Sequence, residues 1–281
     1  MTNIGEQLQV VREGRAFICE RLTRNNPSRK QGILYAIQVL SRELSVKLQY
    51  TYDKQAIEIT EAGIAGWLDH QDKLKRSGID HSYSLYDQPS NNPTVLFYWK
   101  QTPSRHPERE WLECTIPYET PLEPLLTIFS EISPYFQAYN SHLYHLTLQN
   151  LHGRQMRKYE QAIAKRPPEE HQRILKPMPY GGVKDTLPPL LLPHEFDCVS
   201  VPSFVSWINY WSPLQVRTVG IDRIRTANWE RLIELPNGGF VLAVTEEPLD
   251  VTNTNHMKKL GNIVKHLRLG KLQEQHRILA T

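Results

Sequence analysis

The chain has 281 residues, 40% of them apolar and 22% charged, which is enough to bury a core without staples and too apolar for wholesale disorder. Its 33 Lys and Arg against 30 Asp and Glu leave a net charge of +3, too small to mark a nucleic-acid binder by electrostatics alone. The three cysteines, Cys19, Cys114 and Cys198, form no CxxC pair, so a zinc knuckle or a thioredoxin-like motif is excluded and a reducing, cytoplasmic setting is expected.

The first thirty residues form a basic segment, with six basic and two acidic side chains between Arg12 and Lys30. Leu8, Val11, Ala16, Ile18 and Leu22 suggest an irregular helix or an edge strand, closed by Asn25-Asn26-Pro27-Ser28. Apolar spacing over Ile33 to Leu44 predicts an amphipathic helix. Alternation of Val46, Leu48, Tyr50 and Tyr52 predicts a half-buried strand. Gly63 to Lys75 reads as a helix, with Asp69 and Asp72 on its polar face. Tyr83–Tyr86, Thr94–Lys100 and Glu110–Ile116 then read as an antiparallel meander with Pro-rich and Asn-rich loops.

Pro121 to Tyr139 predicts the clearest helix of the first half, with Pro134 kinking or ending it. His142 to Lys176 is polar and reads as an exposed helical or extended arm. Seven prolines between Pro167 and Pro193 mark a surface loop or internal linker. Ser203 to Trp211 alternates like a strand. Arg231–Leu235 and Phe240–Thr245, joined by Pro236-Asn237-Gly238-Gly239, carry the strongest short-range hairpin signal. Asn253 to Arg277 predicts a C-terminal helix capped by Asn253 or Thr254.

The catalytic motifs fail. There is no phosphate-binding GxxxxGK[ST] loop, no GxGxxG fingerprint and no GxSxG elbow. His142 and His145 would share a face if helical, but no Glu completes an HExxH site. His194-Glu195-Phe196-Asp197-Cys198 gathers metal-friendly side chains, yet neighbours on a strand alternate faces and cannot converge. No catalytic residue, metal ligand or cofactor is expected. Trp207, Tyr210 and Trp211 could stack on a partner or fill a core. The C-terminal helix sets Lys258, Lys259, Lys265, Arg268, Lys271 and Arg277 against Glu274 alone. Those cations could follow phosphates, although a solvated polar face reads them equally well.

The stretch Ser206-Trp207-Ile208-Asn209-Tyr210-Trp211-Ser212-Pro213-Leu214 resembles a characteristic strand of the fifty-second immunity-protein family of bacterial polymorphic toxin systems. Gly238 to His256, with Val241, Thr245-Glu246-Glu247, Asp250 and Asn253, is similar to that family's following segment, and a helix like Met257 to Leu272 closes its domain. The pattern departs at Ser206, where the family has Gly, and at Thr254, where it has Pro. The likeness covers about a quarter of the chain.

The resemblance implies an immunity protein that binds and neutralises a secreted toxin with a restriction-endonuclease-like domain, delivered by type VI secretion or a related route. It implies no turnover. The expectations are then an α+β fold, a mixed or antiparallel sheet flanked by helices, in one domain over 31–281 or two similar lobes. Glu246, Glu247, Asp250, Tyr210 and Trp211 are the expected toxin contacts, the acids meeting a basic nuclease surface. Turn, capping and solvation roles are the plainer reading of those acids. No membrane partner is expected, and homo-oligomerisation is left open. The rival reading is a nucleic-acid-associated protein that uses the basic N- and C-terminal segments.

Overall fold

A computed structural model of the chain describes residues 15–22, 29–51, 54–74, 81–89, 96–102, 109–145, 199–250 and 253–278. The Pro-rich segment 167–193 and the His194–Cys198 cluster lie outside the described residues. The fold is α+β, and the described residues fall into two compact units that divide after Leu143.

The first unit opens with β1 (Arg15–Leu22), α1 (Arg29–Glu43) and α2 (Glu61–Leu74), and continues with β2 (His81–Tyr86), β3 (Leu96–Thr102) and β4 (Arg109–Ile116). It closes with α3 (Leu122–Tyr135) and β5 (Asn140–His145). Its strands run in the order β2-β3-β4-β1-β5. β1 is therefore an interior strand, not the irregular helix or edge strand that its sequence suggests. Its pairing explains why: Phe17 faces Cys114 and Cys19 faces Leu112 across an antiparallel ladder with β4. The boundary expected at residue 30 falls in the first turn of α1, within one unit.

A single face of this sheet carries the core. Along β1, Arg15, Phe17, Cys19 and Arg21 are buried, and their partners Ile116, Cys114, Leu112 and Glu110 are buried opposite them. Successive residues of a strand point to opposite faces, so these eight share one side. Phe17 meets Phe129 of α3 edge to face, ring centroids 4.8 Å apart. The helix that supplies Phe129 also buries Leu122, Leu125, Leu126, Ile128 and Ile132, as its spacing predicts. Pro134 occupies its last turn and ends it without a kink.

Two arginines close the stripe of β1. Arg15 donates from Nη2 to the Pro117 carbonyl at 2.8 Å and lies 4.6 Å above the Tyr118 ring. Arg21 donates from Nε to Glu110 Oε2 at 2.7 Å, with its guanidinium 4.3 Å from the Phe136 ring centroid. Arg21 and Glu110 are partners in the strand register, so the ion pair and the ladder enforce each other. Both side chains are almost fully buried.

Of the strand expected over Val46–Tyr52, the described residues 46–51 form no continuous strand. Tyr50 makes isolated bridges to Ala56 and Tyr86, and Ser45 has a left-handed φ of 53°, so no continuous ladder develops. His142 and His145 lie on β5 rather than on a helix. His142 is buried, and desolvation pulls its ring down to about 4.

The second unit contains β6 (Ile208–Trp211), α4 (Pro213–Val219), α5 (Ile221–Arg225), β7 (Arg231–Glu234), β8 (Phe240–Ala243), α6 (Thr254–Leu267) and α7 (Leu269–Ile278). Its strands run β6-β8-β7, antiparallel throughout. The alternation expected over Ser203–Trp211 is replaced by a four-residue strand with every side chain buried, the pattern of a strand covered on both faces. The expected C-terminal helix breaks in two at Arg268, whose φ is 55°. Asn253 caps α6, its side-chain oxygen accepting from the backbone N–H of Asn255 and His256. Gln273 of α7 donates to the Pro202 and Ser203 carbonyls at 2.9 and 2.8 Å.

The two units repeat one order of elements. In each, an opening strand leads into two helices, then into a hairpin or meander, then into a further helix. In each, the last strand of that meander returns antiparallel to the opening strand, β4 onto β1 and β8 onto β6.

Two outcomes follow. Glu110→Ala leaves Arg21 buried without its counter-charge and should destabilise the chain by about 3–5 kcal/mol in denaturant unfolding. His142 binds a proton near pH 6.5 once unfolded but only near 4 when folded. Protons then favour the unfolded chain, and stability falls as pH drops from 6.5 toward 4, by roughly 3 kcal/mol at most. Urea midpoints of wild type and His142→Gln across that range test it, with a flatter profile expected for the variant.

Candidate partner-binding surface

β6 ends at Trp211, and the chain turns at once into α4. Ser212 caps that helix, its Oγ accepting from Gln215 N, and Pro213 occupies the first turn, where its missing N–H costs nothing. Gly220, at φ 96°, ends α4 and starts α5 in a different direction. Trp229 fixes the end of α5 by donating from Nε1 to the Ile224 carbonyl at 2.9 Å, and its ring meets Trp211 edge to face, centroids 5.8 Å apart.

Opposite these helices lies the β7–β8 turn. Asn237 accepts from Gly239 N at 2.9 Å through Oδ1 and donates to the Tyr210 hydroxyl at 3.1 Å through Nδ2. Gly238 takes the left-handed φ of 84° that the turn requires. Gly239 is forced for another reason. A Cβ there would lie 2.8 Å from Tyr210 Cε2 and 2.9 Å from the Trp211 carbonyl oxygen.

Between the turn and the two helices is an open cleft of about 770 Å³, lined by Pro213, Val216, Arg217, Gly220, Ile221, Asp222, Arg223, Asn237 and Gly238. Arg223 is occupied: it donates from Nη1 to the Val219 carbonyl at 3.0 Å and reaches the Leu267 carbonyl at 3.4 Å. Arg225 forms a two-pronged pair with Glu234, 2.7 Å for each bond, which holds the Glu234 carboxyl below its ordinary value. Both side chains of that pair are exposed, so its effect on stability is small.

At the far end of β8 lie the acids expected to meet a toxin. Glu246 and Glu247 are exposed. Glu246 pairs with Arg231 Nη2 at 3.3 Å, and the Glu247 carbonyl accepts from Thr245 Oγ1 at 2.7 Å. Asp250 is half-buried and takes a turn role, its N–H donating to His256 Nδ1 at 3.2 Å and its carbonyl accepting from Asn253 N at 3.0 Å.

Tyr210 and Trp211 do not belong to the surface. They are 1% and 0% exposed, because β6 is the inner strand on which α4 and the hairpin are built. Their expected contact role is corrected: they are core residues, Tyr210 holding Asn237 through its hydroxyl and Trp211 packing against Trp229. The residues that sequence reasoning missed are Leu214, Arg217 and Ile221. Leu214 is 41% and Ile221 40% exposed, and no helical spacing relates them, because Gly220 at φ 96° ends α4 before α5 begins. The basic N-terminal stretch changes meaning too, since Arg15 and Arg21 are buried and withheld from phosphate.

Among the described residues, no group of three or more His, Cys, Asp or Glu side chains is arranged to hold a metal ion. No helix among them is long and apolar enough to cross a membrane.

Comparison with known proteins gives matches to a family model and to solved structures. A family model described as a domain of unknown function, DUF5953, matches residues 156–266, which include β6 to the greater part of α6. The solved structure of the Pseudomonas aeruginosa T6SS protein PA0821 is similar at 11% identity and a TM-score of 0.54, over 91% of this chain and 73% of that one. At that identity the likeness is one of fold. No curated protein matches.

The glycines offer a paired check. Gly239→Ala should lower stability by about 1–3 kcal/mol, since backbone atoms must move to admit the methyl group. Gly261→Ala, in α6 with nothing within 4 Å of the added Cβ, should raise it by about 0.5–1 kcal/mol. Thermal melting of the two variants beside wild type reads both signs.

Proposed function

We propose that this chain is an immunity protein: it binds a nuclease-type toxin delivered by type VI secretion and neutralises it in the cytoplasm of the producing cell. Supporting this reading is the agreement of two independent likenesses. The segment from Ser206 to His256 resembles an immunity family, and the fold resembles a protein named for the type VI system. Inhibition is stoichiometric, by occlusion and without turnover. Glu246 and Glu247 serve as carboxylates at the rim of the interface, where charge sets the encounter rate and its salt dependence.

The test is growth rescue. The reading frame adjacent to this chain's gene is expressed in a susceptible host with and without the chain, and the pair is purified together. Restored growth and a stoichiometric complex are expected. Glu246→Lys with Glu247→Lys should slow association several-fold at low salt and little at high salt. Toxicity that the chain neither relieves nor binds would sink the reading. Tight, steeply salt-dependent binding to bare DNA would favour the nucleic-acid rival.

A further inference from the structure

The cleft beside α4 and α5 has the features of a docking site, and its charge identifies the kind of partner. Arg217 of α4 and Ile221 of α5 both line the cleft, and Leu214 of α4 lies outside its lining. Large aliphatic side chains left about 40% exposed, as Leu214 and Ile221 are, retain apolar area that a partner could still cover. Arg217 is exposed and has no ion pair among the described residues, whereas Arg225 is neutralised by Glu234 and Arg231 by Glu246. Lys265 and Arg268, at the end of α6 that Arg223 contacts through the Leu267 carbonyl, are exposed and likewise without an ion pair. Asp222 is the one acid lining the cleft.

We infer that this cleft docks an acidic segment of the toxin that presents an apolar side chain. The apolar group seats against Ile221, and a carboxylate pairs with Arg217. This rests on the immunity reading and deepens it. The stretch from Gly239 through β8 to Thr245 separates this cleft from Glu246 and Glu247. The second unit thus offers opposite charges at the two ends of one hairpin, a pattern that fixes the orientation of a partner as well as attracting it.

The walls are rigid where docking needs them to be. Pro213 and the Ser212 cap fix the start of α4, Trp229 fixes α5, and the Asn237–Tyr210 hydrogen bond holds the turn. A preformed cleft loses little entropy on binding.

The experiment titrates the purified product of the adjacent reading frame into wild type, Arg217→Glu, Arg217→Lys, Ile221→Asp and, as a control at an exposed site in the first unit, Tyr118→Asp. Circular dichroism confirms that each variant is folded. Arg217→Glu and Ile221→Asp should each weaken binding by about tenfold or more and reduce growth rescue, while Arg217→Lys stays within about threefold and Tyr118→Asp matches wild type. If Arg217→Glu and Ile221→Asp bind and rescue like wild type, the cleft is idle and the immunity reading stands. If wild type itself neither binds nor rescues, the immunity reading falls and the inference falls with it.

Discussion

The approach of the β7–β8 turn to β6 leaves no room for a single carbon atom. Gly239 lies so close to Tyr210 and to the Trp211 carbonyl that any side chain would displace backbone. Most of the second unit follows from that contact. It brings the turn near the start of α4, lets Asn237 reach the Tyr210 hydroxyl, and leaves the open cleft between turn and helices. A strand buried on both faces tolerates such closeness because its own side chains are already committed to the core.

The first unit solves a different problem with charge. Its stripe along β1 ends in two arginines that a helix-covered sheet would ordinarily keep in water. Each is accommodated by a directed partner, Arg15 by the Pro117 carbonyl and Arg21 by Glu110. A slip of one residue between β1 and β4 would separate Arg21 from Glu110 and move the apolar stripe to the other face. The pair therefore selects register more than it adds stability, since desolvation offsets most of its attraction. Glu113, on the opposite face of β4 from Glu110, is partly buried, and burial raises its carboxyl.

Function, on the proposed reading, belongs to residues that the core positions without including. Tyr210 and Trp211 draw attention in the sequence because aromatic residues so often carry contacts. Here they serve as foundation, and the exposed work falls to shorter, plainer side chains on the helices they support. Glu246 and Glu247 keep their exposure because β8 ends just before them and the chain leaves the sheet.

The sequence by itself determined the elements governed by local physics. Helix spacing over Leu122–Ile132 and the Asn-Gly turn of the β7–β8 hairpin were legible because an amphipathic stripe and a positive-φ glycine are written in neighbouring residues. The α+β class followed from the same patterns. Tertiary structure alone decided the rest. The basic stretch around Arg15 and Arg21 became an interior strand because a partner 89 residues away supplies the counter-charge for Arg21, and no local pattern encodes that. Tyr50 alternates like a strand residue but has no continuous neighbour with which to form a ladder. Arg217 and Ile221 came to line one cleft only when Gly220 turned the chain and the distant Asn237–Gly238 turn closed the cleft opposite them. A cleft assembled from segments far apart in sequence has no periodicity of its own, and only folding brings its parts together.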